Sequence, residues 1–158
     1  GKHMAPRQHM RKMKVGKVTF TEAYKAVNEY RQKFPQKAVT FYAQNYPAMG
    51  WAVFMAGGSC PVISCTDKAF LKDAAAMDVE ETNTDEYKKM VKSDIGSIIY
   101  SKSGTEIPVQ LSSGKYALKY IHLASGKIET INKSLRINGL YKLKVPDKKE
   151  GIYWFHKL

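Results

Sequence analysis

The sequence predicts an α/β segment followed by an all-β segment. Residues 1–92 read as the last βα elements of a TIM-type (β/α)8 barrel, and residues 93–158 as an antiparallel β-sandwich. Three observations carry this. Before residue 92, helix-like and strand-like stretches alternate, which is the pattern of a parallel sheet or barrel. One of those helices is apolar nearly all round, and such a helix is buried inside something larger. From about Gly96 the period changes to short alternating strands with turns roughly every 8–12 residues, the pattern of a sandwich.

The first helix is announced by Thr19 and Glu22, three apart, as in a capping box. Ala23, Val27, Tyr30 and Phe34 follow at helical spacing, and Pro35 stops the run. Residues 37–43 include Val39, Thr40, Phe41 and Tyr42, β-branched and aromatic, and predict a short buried strand. Pro47 opens the apolar helix over 48–56, and Gly57-Gly58-Ser59 closes it. Residues 60–64 predict a second strand. Thr66-Asp67 would cap a helix over 68–77, and residues 85–92 predict a further helical turn or two. Two parallel strands and a wholly apolar helix cannot bury themselves. This half therefore reads as the end of a (β/α) structure whose beginning lies elsewhere.

In the second half, Ile98-Ile99-Tyr100 leads to a turn at Ser103-Gly104. Ile107, Val109 and Leu111 alternate, and a long strand covers 115–123 before the turn at Ala124-Ser125-Gly126. Ile128, Ile131 and Leu135-Arg136-Ile137 precede Asn138-Gly139, a strong turn signal. Tyr141, Leu143 and Val145 alternate with Lys142 and Lys144, and residues 152–158 form the last strand.

The chain has 158 residues and a formal net charge of +12. Such a balance invites a nucleic-acid reading. The distribution argues against it, because 78–86 is acidic and the C-terminal lysines alternate with apolar residues along strands, as on a solvated face. Cys60 and Cys65 would point to opposite faces of a strand, so they read as two small buried hydrophobes rather than a disulfide or metal site. No stretch approaches the roughly 18 apolar residues that cross a membrane, and no cofactor is expected. The basic, Met-rich opening through Met13 lacks the apolar core of a signal peptide and reads as sequence that begins in mid-protein.

The string Tyr42-Ala43-Gln44-Asn45-Tyr46-Pro47-Ala48-Met49-Gly50-Trp51-Ala52-Val53-Phe54-Met55-Ala56-Gly57-Gly58-Ser59, with Asp67-Lys68-Ala69-Phe70-Leu71 after it, resembles the late barrel segment of a group of Bacteroidota glycoside hydrolases. Gly151-Ile152-Tyr153-Trp154-Phe155-His156 is similar to their closing strand. The resemblance implies a (β/α)8 barrel followed by a C-terminal β-sandwich, and a carbohydrate substrate. It also implies a periplasmic or extracellular location, and a missing N-terminal barrel portion or partner chain.

Glycoside hydrolysis needs two facing carboxylates, and in a barrel these sit at the C-terminal ends of strands. The strand over 37–43 ends in Gln44-Asn45, and Asp67 reads as a helix cap, so the catalytic residues stay unassigned. Substrate contact falls to Tyr42, Gln44, Asn45 and Tyr46 in a loop after the first strand, whose other reading is a structural turn. His3, Arg7 and His9 are candidates of the same kind in the basic opening segment. Trp51 reads as core, Gly57-Gly58 as close backbone packing, and His122 and His156 as structural. Tyr153, Trp154 and Phe155 should pack the sandwich on the barrel. Three functions follow: part of a glycoside hydrolase, a non-catalytic polysaccharide-binding module, or a basic nucleic-acid-binding protein.

Overall fold

The computed structural model describes residues 19–40, 47–59 and 61–158. Three helices come first: α1 (Phe20–Lys33), α2 (Pro47–Met55) and α3 (Lys68–Ala76). Eight strands follow: β1 (Asp78–Glu80), β2 (Tyr87–Lys92), β3 (Gly96–Ser101), β4 (Glu106–Gln110), β5 (Gly114–Ile121), β6 (Ile128–Ile137), β7 (Leu140–Lys144) and β8 (Gly151–Lys157). Six strands form one sheet in the order β1-β2-β3-β8-β5-β6, and β4 with β7 forms a two-stranded ribbon. Every pairing is antiparallel.

The strand β8 explains the layering. Its residues alternate between the two faces of the sheet, as pleating requires. Ile152 and Trp154 join a core with the helices, while Tyr153 and Phe155 join a second core with the ribbon. β3 does the same, with Ile98 and Tyr100 on the helix side and Ile99 on the ribbon side. The result is three layers: helices, six-stranded sheet, ribbon.

The local signals in the helices are used as written. Thr19 Oγ1 accepts from Glu22 N–H, and the Glu22 carboxylate accepts from Thr19 N–H at 2.8 Å, which completes the capping box. Pro47 occupies the first turn of α2, where its missing N–H costs nothing. Gly57 takes a left-handed φ of 70°, and the N–H groups of Gly57 and Gly58 return to the Phe54 and Val53 carbonyls. That pattern of bonds ends the helix without stranded acceptors. Asp67 caps α3 by accepting from Phe70 N–H.

The barrel expectation is overturned. The described parts of the two expected parallel strands, residues 37–40 and 61–64, carry no strand, and residues 87–92 form β2 where helical turns were expected. The physical reason lies in α2. It is apolar all round because it is sandwiched, with Met49, Trp51, Val53 and Met55 all buried in the helix-side core. The burial that seemed to demand a barrel is supplied by an antiparallel sheet. Trp51 donates its indole N–H to the Leu123 carbonyl, and an added Cβ on Gly50 would collide with the Val62 carbonyl. The closing strand likewise does not dock one domain onto another from an edge. It is central, and holds helices on one face and ribbon on the other. The boundary expected after residue 92 falls in the β2–β3 hairpin, within the sheet.

Five tyrosines stiffen the two cores. Burial, the leading cause in each case, pushes the hydroxyls of Tyr24, Tyr100, Tyr116, Tyr120 and Tyr153 above their usual 10, that of Tyr24 to about 12. These phenols stay protonated in the fold but ionise near pH 10 once unfolded. Their contribution to stability is full below pH 10 and is lost as pH rises through the folded values. The urea midpoint should be flat up to about pH 9.5 and fall steeply above about pH 10. Phenolate absorbance should rise in step with loss of near-UV circular dichroism. Ionisation of these tyrosines near pH 10 in a still-folded protein would contradict this.

Candidate functional site

A six-stranded sheet is wider than a two-stranded ribbon. The ribbon therefore leaves a strip of the sheet uncovered beside β6, and a cleft of about 430 Å³ opens there. Its floor is Leu118 and Tyr120 of β5 with Tyr153 of β8. One wall is β6, through Glu129 and Ile131. The other is β7, through Tyr141 and Leu143, with Lys142 and Lys144 along the strand. Pro146 and Lys149 of the β7–β8 loop close one end.

The floor is rigid. Tyr120 and Tyr153 pack with ring centroids 5.3 Å apart, and both hydroxyls are anchored. Tyr120 donates to the Glu150 carbonyl at 2.7 Å and Tyr153 to the Lys149 carbonyl at 2.8 Å. From the helix side, Tyr100 donates to the Glu150 carboxylate. Three phenols thus pin the same two loop residues. Tyr141 is half-buried, edge-on to Phe155 at 5.7 Å, with part of the side chain left to the cleft. Ile131 is 53% exposed, an apolar side chain with no core to enter.

The charged groups sit around this floor. Lys149 Nζ lies 5.0 Å from the Tyr120 ring centroid and 3.9 Å from Glu129 Oε2. His122 Nε2 stands 3.3 Å from Glu129 Oε1, but off the line of a good hydrogen bond, so charge rather than bonding couples them when the imidazole is protonated. Contact with His122, then the charges of Lys149 and Lys127, hold the Glu129 carboxyl below the usual carboxylate range. β6 is an outer strand with two register shifts against β5, and such bulges discourage pairing with a further chain.

A second polar cluster lies in the helix-side core. The Asp73 Oδ2 atom accepts from Trp154 Nε1 at 2.9 Å and meets His156 Nδ1 at 2.7 Å. Lys119 Nζ lies 4.8 Å from the Trp154 ring centroid. The Asp73 carboxylate is buried, and its two partners come from β8, so it ties α3 to the central strand. We read it as a structural latch, as expected for His156. Among the described residues, no three His, Cys, Asp or Glu side chains gather as metal donors.

The substrate-contact candidates His3, Arg7, His9, Tyr42, Gln44, Asn45 and Tyr46 all lie outside the described residues, as does Cys60. Cys65 is buried, and burial raises its thiol pKa. Trp51 is core, as expected. His122 sits at the margin of the cleft beside Glu129. Tyr141, Glu129, Ile131 and Lys149 did not stand out as site residues. The available signal was Ile131, an apolar residue flanked by Thr130 and Asn132 in a strand whose other outward positions are polar.

The family described as "Domain of unknown function (DUF6298)" matches residues 1–77, so the match ends where β1 begins. No curated protein matches the chain. Among solved structures, one titled "Glycoside hydrolase" is similar at 16% identity and a TM-score of 0.39, covering 51% of this chain and 20% of that one. The chain thus spans about a fifth of that protein's length. Another, titled "Crystal structure of CapF with inhibitor 3-isopropenyl-tropolone", is similar at 10% identity and a TM-score of 0.22, covering 87% of this chain and 43% of that one.

Two variants check the architecture of the sites. Asp73→Ala should lower stability by about 2–3 kcal/mol in urea unfolding, because the Trp154 N–H is left buried without an acceptor, while Asp73→Asn should cost roughly half as much. Gly151→Ala would place a Cβ 2.5 Å from the Tyr120 ring. It should cost about 1–3 kcal/mol as overpacking, and Tyr120→Phe about 1 kcal/mol. A neutral result for Gly151→Ala would mean the cleft floor is soft.

Proposed function

We propose that the chain is a non-catalytic carbohydrate-binding module and that the cleft between β6 and β7 receives the sugar. The observation that carries this is the cleft itself: an anchored aromatic floor, an accessible Tyr141, and polar groups on the rim. Sugars present apolar ring faces edged with hydroxyls. A tyrosine offers an apolar body for the ring and a polar tip for the edge. Concave sites with an apolar base and a few placed polar groups are the usual form for small ligands.

The same cleft argues for binding rather than hydrolysis. Glycoside hydrolysis uses a pair of carboxyl groups, one of them protonated to act as acid. Glu129 is the only carboxylate lining the cleft, and its neighbours favour the ionised form. A lone ionised carboxylate can accept hydrogen bonds from hydroxyls but cannot donate a proton to a leaving group. A polysaccharide ligand agrees with the periplasmic or extracellular setting that the family resemblance implies.

Calorimetric titration of the chain with soluble polysaccharides tests this. Binding should appear for at least one glycan, and Tyr141→Ala should weaken it about tenfold, the scale of one aromatic contact. Phe34, exposed on α1 outside the cleft, supplies the control. Phe34→Ala should leave affinity unchanged. If Phe34→Ala abolishes binding and Tyr141→Ala does not, the cleft is not the site.

A further inference from the structure

We propose that the cleft selects an acidic glycan, one bearing uronate carboxylates or sulfate esters, and that Lys142, Lys144 and Lys149 provide the selection. This rests on the carbohydrate reading above and sharpens it to a substrate class. Three lysines line the cleft against one carboxylate, Glu129. That carboxylate is already engaged by His122 and Lys149. Lys142 has only a loose partner, Glu106 at 3.8 Å, and both side chains are more than half exposed. A pair of that kind is worth little and exchanges readily for a ligand anion. Lys144 makes no ion pair among the described residues. Lys149 lies over Tyr120 at the closed end, so its ammonium is positioned by the floor as well as by Glu129.

The arrangement combines two requirements of an acidic sugar. The apolar floor suits a pyranose face, and the rim ammoniums suit an anion projecting from the ring edge. A neutral glycan would cover the same rim while giving the ammoniums no counter-charge, which disfavours it. A nucleic acid would need a continuous basic track and successive stacking platforms. Here one half-buried tyrosine stands beside a bounded cleft.

The test is titration of the full chain with two matched pairs. Polygalacturonate is compared with its fully methyl-esterified form, and dextran sulfate with dextran. A single-stranded oligonucleotide serves as a polyanion without a pyranose chain. At least one acidic member should bind about tenfold tighter than its neutral match, and added salt should weaken that binding by screening. The pair that shows the difference tells carboxylate from sulfate. Lys142→Gln, Lys144→Gln and Lys149→Gln should each weaken acidic binding about three- to fivefold. The neutral match should be unaffected and the melting midpoint unchanged. If both members of each pair bind equally, acidic selection is overturned and carbohydrate binding stands. If no polysaccharide binds, the carbohydrate reading falls and this proposal with it. Oligonucleotide binding as tight as the best glycan, weakened equally by the lysine variants, would overturn it in favour of general polyanion binding. Undiminished acidic binding by the combined lysine variant would overturn the assignment of these residues.

Discussion

Everything in this fold depends on a central strand that must be covered on both faces. β8 pairs with β3 on one side and β5 on the other, so its backbone is satisfied within the sheet. Its side chains alternate Ile152, Tyr153, Trp154, Phe155, all of them buried. Large side chains on both faces mean that neither face can be left to water. The helices answer one face and the ribbon the other. Phe70 of α3 meets Trp154 edge-on at 5.3 Å, and the Asp73 carboxylate takes the indole N–H that this burial would otherwise strand. The latch follows from placing a tryptophan there, because a buried donor must find an acceptor.

The cleft follows from the same constraint at its limit. The ribbon is two strands wide, and it covers the parts of the sheet where the ribbon-facing side chains are largest, over Tyr153 and Phe155. β6 lies beyond its reach, and the burial of β6 falls away accordingly, with only Ile137 fully buried. A strand in that position has little core to serve. Its residues are free to carry polar and functional groups, as Glu129 does. The anchored tyrosines then matter in a second way. They fix the β7–β8 loop, and hence Lys149, without relying on the surface charges that a ligand would disturb.

The strands after residue 96 were legible because their signals are local. Alternation and turn residues mark β3 to β8 one by one, and β7 begins immediately after Asn138-Gly139. The caps of α1 and α3 were legible for the same reason. Partnership was not legible. An all-apolar α2 states that it is buried without stating against what, and a parallel sheet and an antiparallel one satisfy it equally. β2 shows the related failure. Tyr87 to Lys92 has no strong strand composition, and its conformation comes from full-length pairing with β3 on one side and pairing with β1 on the other. Tertiary pairing overrides weak propensity. The cleft was illegible for a third reason: it arises from a difference in width between two sheets, which no single segment encodes.

Charge is where composition and structure join. The net +12 suggests a basic surface throughout, yet the acids are gathered rather than scattered. Residues 78–86 hold Asp78, Glu80, Glu81, Asp85 and Glu86. Lys89 meets Glu80 at 2.6 Å, while Lys25 and Lys88 meet Asp85 at 3.2 and 3.5 Å. Lys88 is itself buried, with the Thr84 carbonyl and the Tyr24 ring completing its surroundings. So the β1–β2 edge consumes its lysines in structural pairs. β6, at the opposite end of the sheet, and the ribbon strand β7 beside it carry the lysine excess. A diffuse positive charge would attract any polyanion over any face. Neutralisation at one edge and excess at the other give the field a direction, and that direction ends at the one lysine-lined cleft described here.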